Sequence, residues 1–237
     1  MWLYYLPLLT TLFCIYFASS LFRHYSGKAN STHILWWGFG VTAFGLGTLI
    51  ESLITIFGWS DPLFRSWYIA GALMGGAPLA QGTVYLMLKK RTAHILSVIL
   101  VAAILFGSTM VILTPLDYAL VKSHIPQGDV IVWKWIRLIS PFINTYAFIF
   151  LVGGAILSAV RYRSVADMKH RVKGNTLIAI GAILPGIGGG MSRAGYTEVL
   201  YVAEFVGILL IYAGYKYCVK SPLFSVKRRT KPGVAAA

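Results

Sequence analysis

Apolar residues run along this chain in blocks of about twenty, separated by short charged stretches. They do not follow the alternation of a half-buried strand. A helix needs about 20 such residues to cross a hydrocarbon core of about 30 Å. Seven stretches qualify: residues 2–22, 34–57, 67–88, 94–114, 138–160, 174–191 and 197–218. The pattern predicts an all-α integral membrane protein. A single seven-transmembrane-helix bundle fills residues 1–220, and a basic cytoplasmic tail covers 221–237. The first stretch does not read as a cleavable signal, because its first charge, Arg23, follows the apolar run instead of preceding it.

Composition agrees. Of 237 residues 57% are hydrophobic and 12% charged, against about 25% charged in soluble domains. The mean hydropathy is +0.72. A formal charge of +14 suggests nucleic acid only until the charges are placed. Sixteen of the 21 Lys and Arg fall in the first, third and fifth loops and the tail. Positive charge stays cytoplasmic, so the amino terminus is expected outside and the carboxyl terminus inside, in a plasma or inner cell membrane. Asp61, Asp117, Asp129 and Glu198 fall on the outer side. Trp2, Trp59, Trp67, Trp133 and Trp135 mark the outer interface, Trp36 and Trp37 the inner one. The basic run of Lys227, Arg228, Arg229 and Lys231 reads as an anchor on anionic lipid. The lipid bilayer is the first expected partner, and nucleic acid is not expected.

Spans one to three can be laid over spans five to seven, with Pro7 near Pro141 and Arg23 on Arg161. That gives a weak 3+1+3 repeat of the kind transporters use. Any seven-span chain with alternating loop charge gives a similar overlay.

Ionisable groups inside spans cost about 2.5–3.5 kcal/mol each on insertion scales and are candidates for function. Two occur, Glu51 and Glu204. Each lies seven residues inside the outer boundary, roughly 10 Å deep at about 1.5 Å per residue. Asn144 reaches the same layer. Thr48, Glu51, Ser52 and Thr55 form one helical stripe, and Tyr201 shares a face with Glu204. Arg193 and Arg65 stand at the outer mouth, near enough to pair with either carboxylate. The group reads either as a ligand pocket or as a polar clamp between helices.

Glycine and proline form a second signal. Span three holds Gly71, Gly75, Gly76, Pro78 and Gly82. Span six holds Pro185, Gly186, Gly188, Gly189 and Gly190. Proline removes a backbone donor and kinks a helix. A pair of interrupted spans points to a transporter binding site, so Pro78 and the Pro185–Gly190 run are expected helix breaks, with span six unwound in its outer half. Close packing through small residues such as Gly186 and Gly190 competes with that expectation. Gln81 continues the Pro78 face and is expected to meet a solute.

Other chemistries lack their residues. His24, His33, His94, His124 and His170 sit in loops or at span ends and pair into no haem or zinc site. Cys14 and Cys218 lie apart in apolar segments and imply no disulfide framework. Lys216 is too near the cytoplasmic end to hold a Schiff base, and Pro126-Gln127 lies in a loop. No catalytic residue, cofactor or metal is expected. The expected function is binding, with translocation, of a small polar or cationic solute in an outward-facing pocket of Glu51, Gln81, Asn144, Arg193 and Glu204. The alternative is a seven-span sensor or assembly subunit acting through a cytoplasmic protein partner.

Overall fold

A computed structural model describes residues 2–27, 31–122, 124–165 and 167–219. The expected basic tail, 221–237, lies outside the described residues. Within them all regular structure is helical. A 3₁₀ turn, Trp2–Tyr5, leads into α1 (Leu6–Ser26), and α2 (Thr32–Phe57) ends on Gly58. Gly58 has a φ of 87°, a left-handed conformation that glycine adopts without steric cost. A short helix, α3 (Asp61–Trp67), runs into a π-helical turn, Tyr68–Leu73, and α4 covers Ala77–Met87. Then come α5 (Lys90–Leu113), three 3₁₀ turns (Tyr118–Leu120, Gly128–Val130 and Lys134–Leu138), α6 (Ile139–Ala147) continued by a second π turn, Phe148–Gly153, into α7 (Gly154–Arg163), then α8 (Lys169–Arg193) and α9 (Thr197–Val219).

Six of these helices are long and apolar enough to cross a membrane: Leu3–Ser26, Thr32–Phe57, Lys90–Leu113, Lys134–Arg163, Lys169–Arg193 and Thr197–Val219. Their outer faces carry the apolar side chains that a soluble protein would hide. Val98 and Leu105 of α5 are 69% and 62% exposed, and Phe142 of α6 is 77% exposed. With lipid as solvent, such a surface is satisfied.

The third apolar stretch is not one helix. After Leu73 the chain leaves helical geometry over Met74–Gly76 and resumes at Ala77, with Pro78 in the first turn of α4. Proline is well placed there, since the missing N–H belongs to a position with no intrahelical acceptor. The sixth stretch corrects the sequence reading in the opposite direction: α8 passes through Pro185, Gly186, Gly188, Gly189 and Gly190 without a break. Its glycines divide by face. Gly174, Gly181 and Gly188, spaced by sevens, press on α9. A methyl group on Gly181 would lie 2.6 Å from the Gly207 carbonyl oxygen, and one on Gly174 would lie 2.7 Å from that of Gly214. The Pro185 ring also finds room at Gly207, where a methyl would meet its Cδ at 3.2 Å. Packing through small residues holds this helix where proline alone would bend it. Gly186, Gly189 and Gly190 have no atom within 4 Å of where a Cβ would be, so they border open space.

The two larger buried clusters organise the bundle, beside a small third of Val152, Ala155 and Ala179. Phe17 and Leu21 of α1, Val41 of α2, Leu79 of α4 and Tyr215 of α9 form one. Phe64 and Leu73 of the third segment, Val111 of α5, and Val130, Ile131 and Ile136 of the long loop form the other. The loop between α5 and α6 is thus packed onto the bundle by its own apolar residues.

Arg65 is not a partner of either glutamate. It pairs with Asp61, one turn earlier in α3, and donates to the carbonyls of Val111, Ile112 (2.8 Å) and Thr114 (3.0 Å). These are the carbonyls that the last turn of α5 leaves without helical donors. Arg65→Ala is expected to lower stability in equilibrium unfolding by about 2 kcal/mol, the scale of hydrogen bonds to a charged group. The Arg65 hydrogen bond holds the Asp61 carboxyl below its ordinary value of 3.8; burial opposes it, and the Arg65 charge and the Tyr118 hydroxyl add to the lowering. The folded carboxyl loses its proton more readily than the unfolded one. The pair therefore stabilises fully above that value and less as pH falls through it.

Candidate functional site

α2 turns Thr48, Glu51 and Ser52 inward, where they are 2–3% exposed. Each has a local reason to be there. The Thr48 hydroxyl meets that of Thr11 of α1 at 2.9 Å, and Ser52 donates to the Thr48 carbonyl. Glu51 reaches across to the third segment, where the Trp67 indole N–H donates to its Oε1 at 2.9 Å. That contact needs the two helices close together. Gly47 and Gly71 supply the space: a methyl on Gly47 would lie 3.1 Å from the Gly71 Cα.

Opposite Glu51, α9 presents Glu204. The two carboxyl groups lie within hydrogen-bond reach of each other, while the Oε2 atom of each is buried with no donor. Buried polar atoms are nearly always partnered, so these two mark an unusual place. Two carboxyl groups this near need a proton or a cation between them. Two more orphaned hydroxyls lie one turn away, on Thr55 of α2 and Tyr201 of α9. Cys14 of α1 faces Glu204 from a third helix.

Both glutamates line a cavity of about 1330 Å³. Asn144, Arg193, Pro185, Gly186, Gly189 and Gly190 also line it, and the three glycines leave their part of the lining bare. Asn144 is less free than its depth suggests. Its amide donates to the Ala72 carbonyl (3.3 Å) and to Ser140 Oγ (3.1 Å), and Ser140 donates to the same Ala72 carbonyl at 2.8 Å. Together they hold the π turn just before the interruption. Arg193 is exposed at the rim and forms no ion pair among the described residues. Lys122, Lys134 and Arg137 of the long loop join it there, and Arg137 is paired with Asp129 at 2.6 Å. The rim is basic and the floor acidic.

Three expected site residues lie elsewhere. Gln81 is fully buried away from the cavity; it donates to the Ala93 carbonyl of α5 at 2.9 Å and accepts from the Tyr146 hydroxyl. It ties α4, α5 and α6 together, so its polarity is structural. Pro78 starts α4 off the cavity wall, and Gly188 is occupied by α9. Sequence reasoning had placed Trp67 only in the interfacial belt and did not connect it to Glu51. No spacing rule links residues 51 and 67, which meet through the turn at 58–60. No family model, curated protein or solved structure matches this chain, so the functional reading rests on the site's own chemistry.

Proposed function

We propose that this chain crosses a plasma or inner membrane seven times, amino terminus outside. In this reading it binds and translocates a small polar or cationic solute in the cavity between α2, α8 and α9. The observation that carries the proposal is the buried carboxyl pair, with an orphaned oxygen on each partner, at the wall of a large cavity. A clamp between helices would satisfy its own atoms; a ligand site leaves acceptors for what it binds.

Other features support the orientation and the crossing count. The segment from Asp61 to Met87 has 27 residues, about 40 Å at helical rise, enough to cross despite its interruption. Sixteen of 21 basic residues favour the cytoplasmic side. A broken helix at depth is tolerated where it lines a cavity, and Gly75 and Gly76 at this break are cavity residues. The break is the moving part. Ser140 and Asn144 latch the Ala72 carbonyl in the present state, and releasing that latch lets the outer half, α3 with its π turn, swing against α4. The 3+1+3 repeat belongs to the same proposal; α9, which would match the third segment, has no such break. A solute with a cationic group suits the glutamates, and the basic rim favours one that also carries an anionic group.

The test is a thermal-unfolding screen of the purified protein against amines, amino acids and other small zwitterions. A solute that binds only the folded state at a hundredfold excess over its Kd adds about 2.7 kcal/mol. The expected result is a hit in the wild type that Glu204→Gln abolishes. Hits that persist unchanged in Glu204→Gln and Glu51→Gln would rule the carboxyl pair out as the site.

A further inference from the structure

The geometry points to a binding site for one sodium ion, formed by Glu51 and Glu204 with the hydroxyls of Thr55 and Tyr201. The single charge of the ion rests on the proposed binding of a cationic solute. The test needs no solute, so the two readings fail separately.

Two antiparallel helices set these four side chains against one another. α9 runs beside α1 in the same direction, since Tyr4 donates to Glu198 at their starts and His24 meets the Tyr215 hydroxyl near their ends. α2 returns against α1, with Thr48 at Thr11 and Gly38 at the Phe22 ring. Glu51 and Thr55 are four residues apart on α2, and Tyr201 and Glu204 three apart on α9. Both spacings keep the two residues on one helix face, a turn apart. Glu51 therefore faces Glu204, and Thr55, one turn nearer the end of α2, stands beside Tyr201, one turn nearer the start of α9. The result is a carboxyl rung next to a hydroxyl rung.

The unpartnered atoms fall on these rungs. Of the six buried side-chain polar atoms without a partner among the described residues, four are Glu51 Oε2, Glu204 Oε2, Thr55 Oγ1 and the Tyr201 hydroxyl. Tyr201 is 1% and Glu51 3% exposed, so bulk solvent does not satisfy them. Buried polar atoms are nearly always partnered, and four exceptions within one turn share a cause. All four are oxygens, the ligands that a hard cation takes. Cys14, which faces Glu204 from α1, is a soft donor and adds little to such an ion. The basic groups of the cavity stand at its rim and leave the carboxyl pair to a smaller cation. Both glutamates line the cavity, which gives that cation its way in.

The donor set also selects the ion. Calcium takes about six to eight oxygens, and magnesium keeps several of its waters; four dry side-chain oxygens serve neither. One positive charge leaves a carboxylate for the cationic group of the solute, whereas a divalent ion would cancel both. Among monovalent ions, ligands of high field strength such as carboxylates favour sodium over the larger potassium. Ion and solute then each neutralise one carboxylate, and each raises the affinity for the other by the same factor.

The test is thermal unfolding of the purified full chain at about pH 8, where protons compete least for metal ligands. Sodium chloride replaces N-methylglucamine chloride at constant ionic strength, with potassium and calcium chlorides run in parallel. The wild type is expected to gain stability as sodium rises, as mass action requires of a ligand held only by the folded state, and to gain less in potassium. Glu204→Gln is expected to abolish the response. Tyr201→Phe keeps the ring that meets Tyr4 edge-on at 6.0 Å and removes a hydroxyl that bonds nothing, so its fold is retained. Thr55→Val is a second variant of the same kind. Each is expected to raise the sodium concentration for half the effect by about tenfold, the scale of one lost polar contact to a charged group. Equal responses to sodium and N-methylglucamine would overturn the site, as would unchanged sodium dependence in both hydroxyl variants. A response to calcium alone would overturn the single charge. A sodium response in a protein that binds no amine or zwitterion would uphold the ion site and overturn only the solute.

Discussion

Gly181→Val is expected to destabilise the protein by about 3 kcal/mol, the upper range for forcing extra carbons into a filled interface. Gly189→Ala, only two helical turns away, should stabilise it by about 0.5–1 kcal/mol. The two glycines differ in what lies beyond them. Gly181 touches the backbone of α9, with the Gly207 oxygen 2.6 Å from the position a Cβ would take, and backbone cannot move aside as a flexible side chain can. Separating α8 from α9 there would undo the most extensive helix pair in the bundle and loosen the face that holds Glu204. Gly189 borders the cavity and would meet nothing, so alanine there gains backbone rigidity without a clash. Equilibrium unfolding of both variants in mixed micelles measures the contrast. Equal effects of the same sign would show that the division of α8 into a packed face and a bare face is wrong.

The same helix shows where a sequence is ambiguous. Four glycines in five residues after Pro185 suggest unwinding, yet composition cannot say whether glycine is present for freedom or for closeness. The legible clue was period. Gly174, Gly181 and Gly188 repeat every seven residues, as do Gly207 and Gly214 on the partner, and a sevenfold repeat of small residues describes a helix seam. Gly71, Gly75 and Gly76 have no such repeat, and there the chain does leave the helix.

Long apolar blocks identified the membrane helices because the lipid core demands them. Their basic ends extend past the apolar blocks: α1 runs to Ser26, α5 begins at Lys90 and α8 at Lys169. Basic side chains can stay inside a helix near the interface because their stems lie along apolar surface while the charge reaches water. Glu51 and Glu204 could be matched in depth by counting residues, since helical rise is constant. What they touch could not be counted. Trp67 reaches Glu51 only because Gly47 lets the third segment approach, and Gln81 is drawn from the cavity by an acceptor on α5 and a donor on α6. Arg65 was expected at the glutamates by proximity to the mouth, yet the bare carbonyls at the end of α5 are nearer and complete its hydrogen bonding.

A single cysteine placed on the bare face of α8 tests the outward-facing cavity most directly. Gly189→Cys, in a background with Cys14→Ser and Cys218→Ser, puts a thiol in the lining of the cavity that Glu51 and Glu204 also line. Gly189 has no neighbour to clash with, so the thiol reports on access instead of damage. In sealed vesicles of known orientation, a thiol reagent that does not cross membranes should label it from the side of the amino terminus and the long loop 114–138, and not from the other side. Gly181→Cys is the closed-seam control and should stay unlabelled in the folded protein. Labelling of Gly189→Cys from the opposite side alone, or no labelling until the protein is unfolded, would contradict an outward-facing cavity at the carboxyl pair.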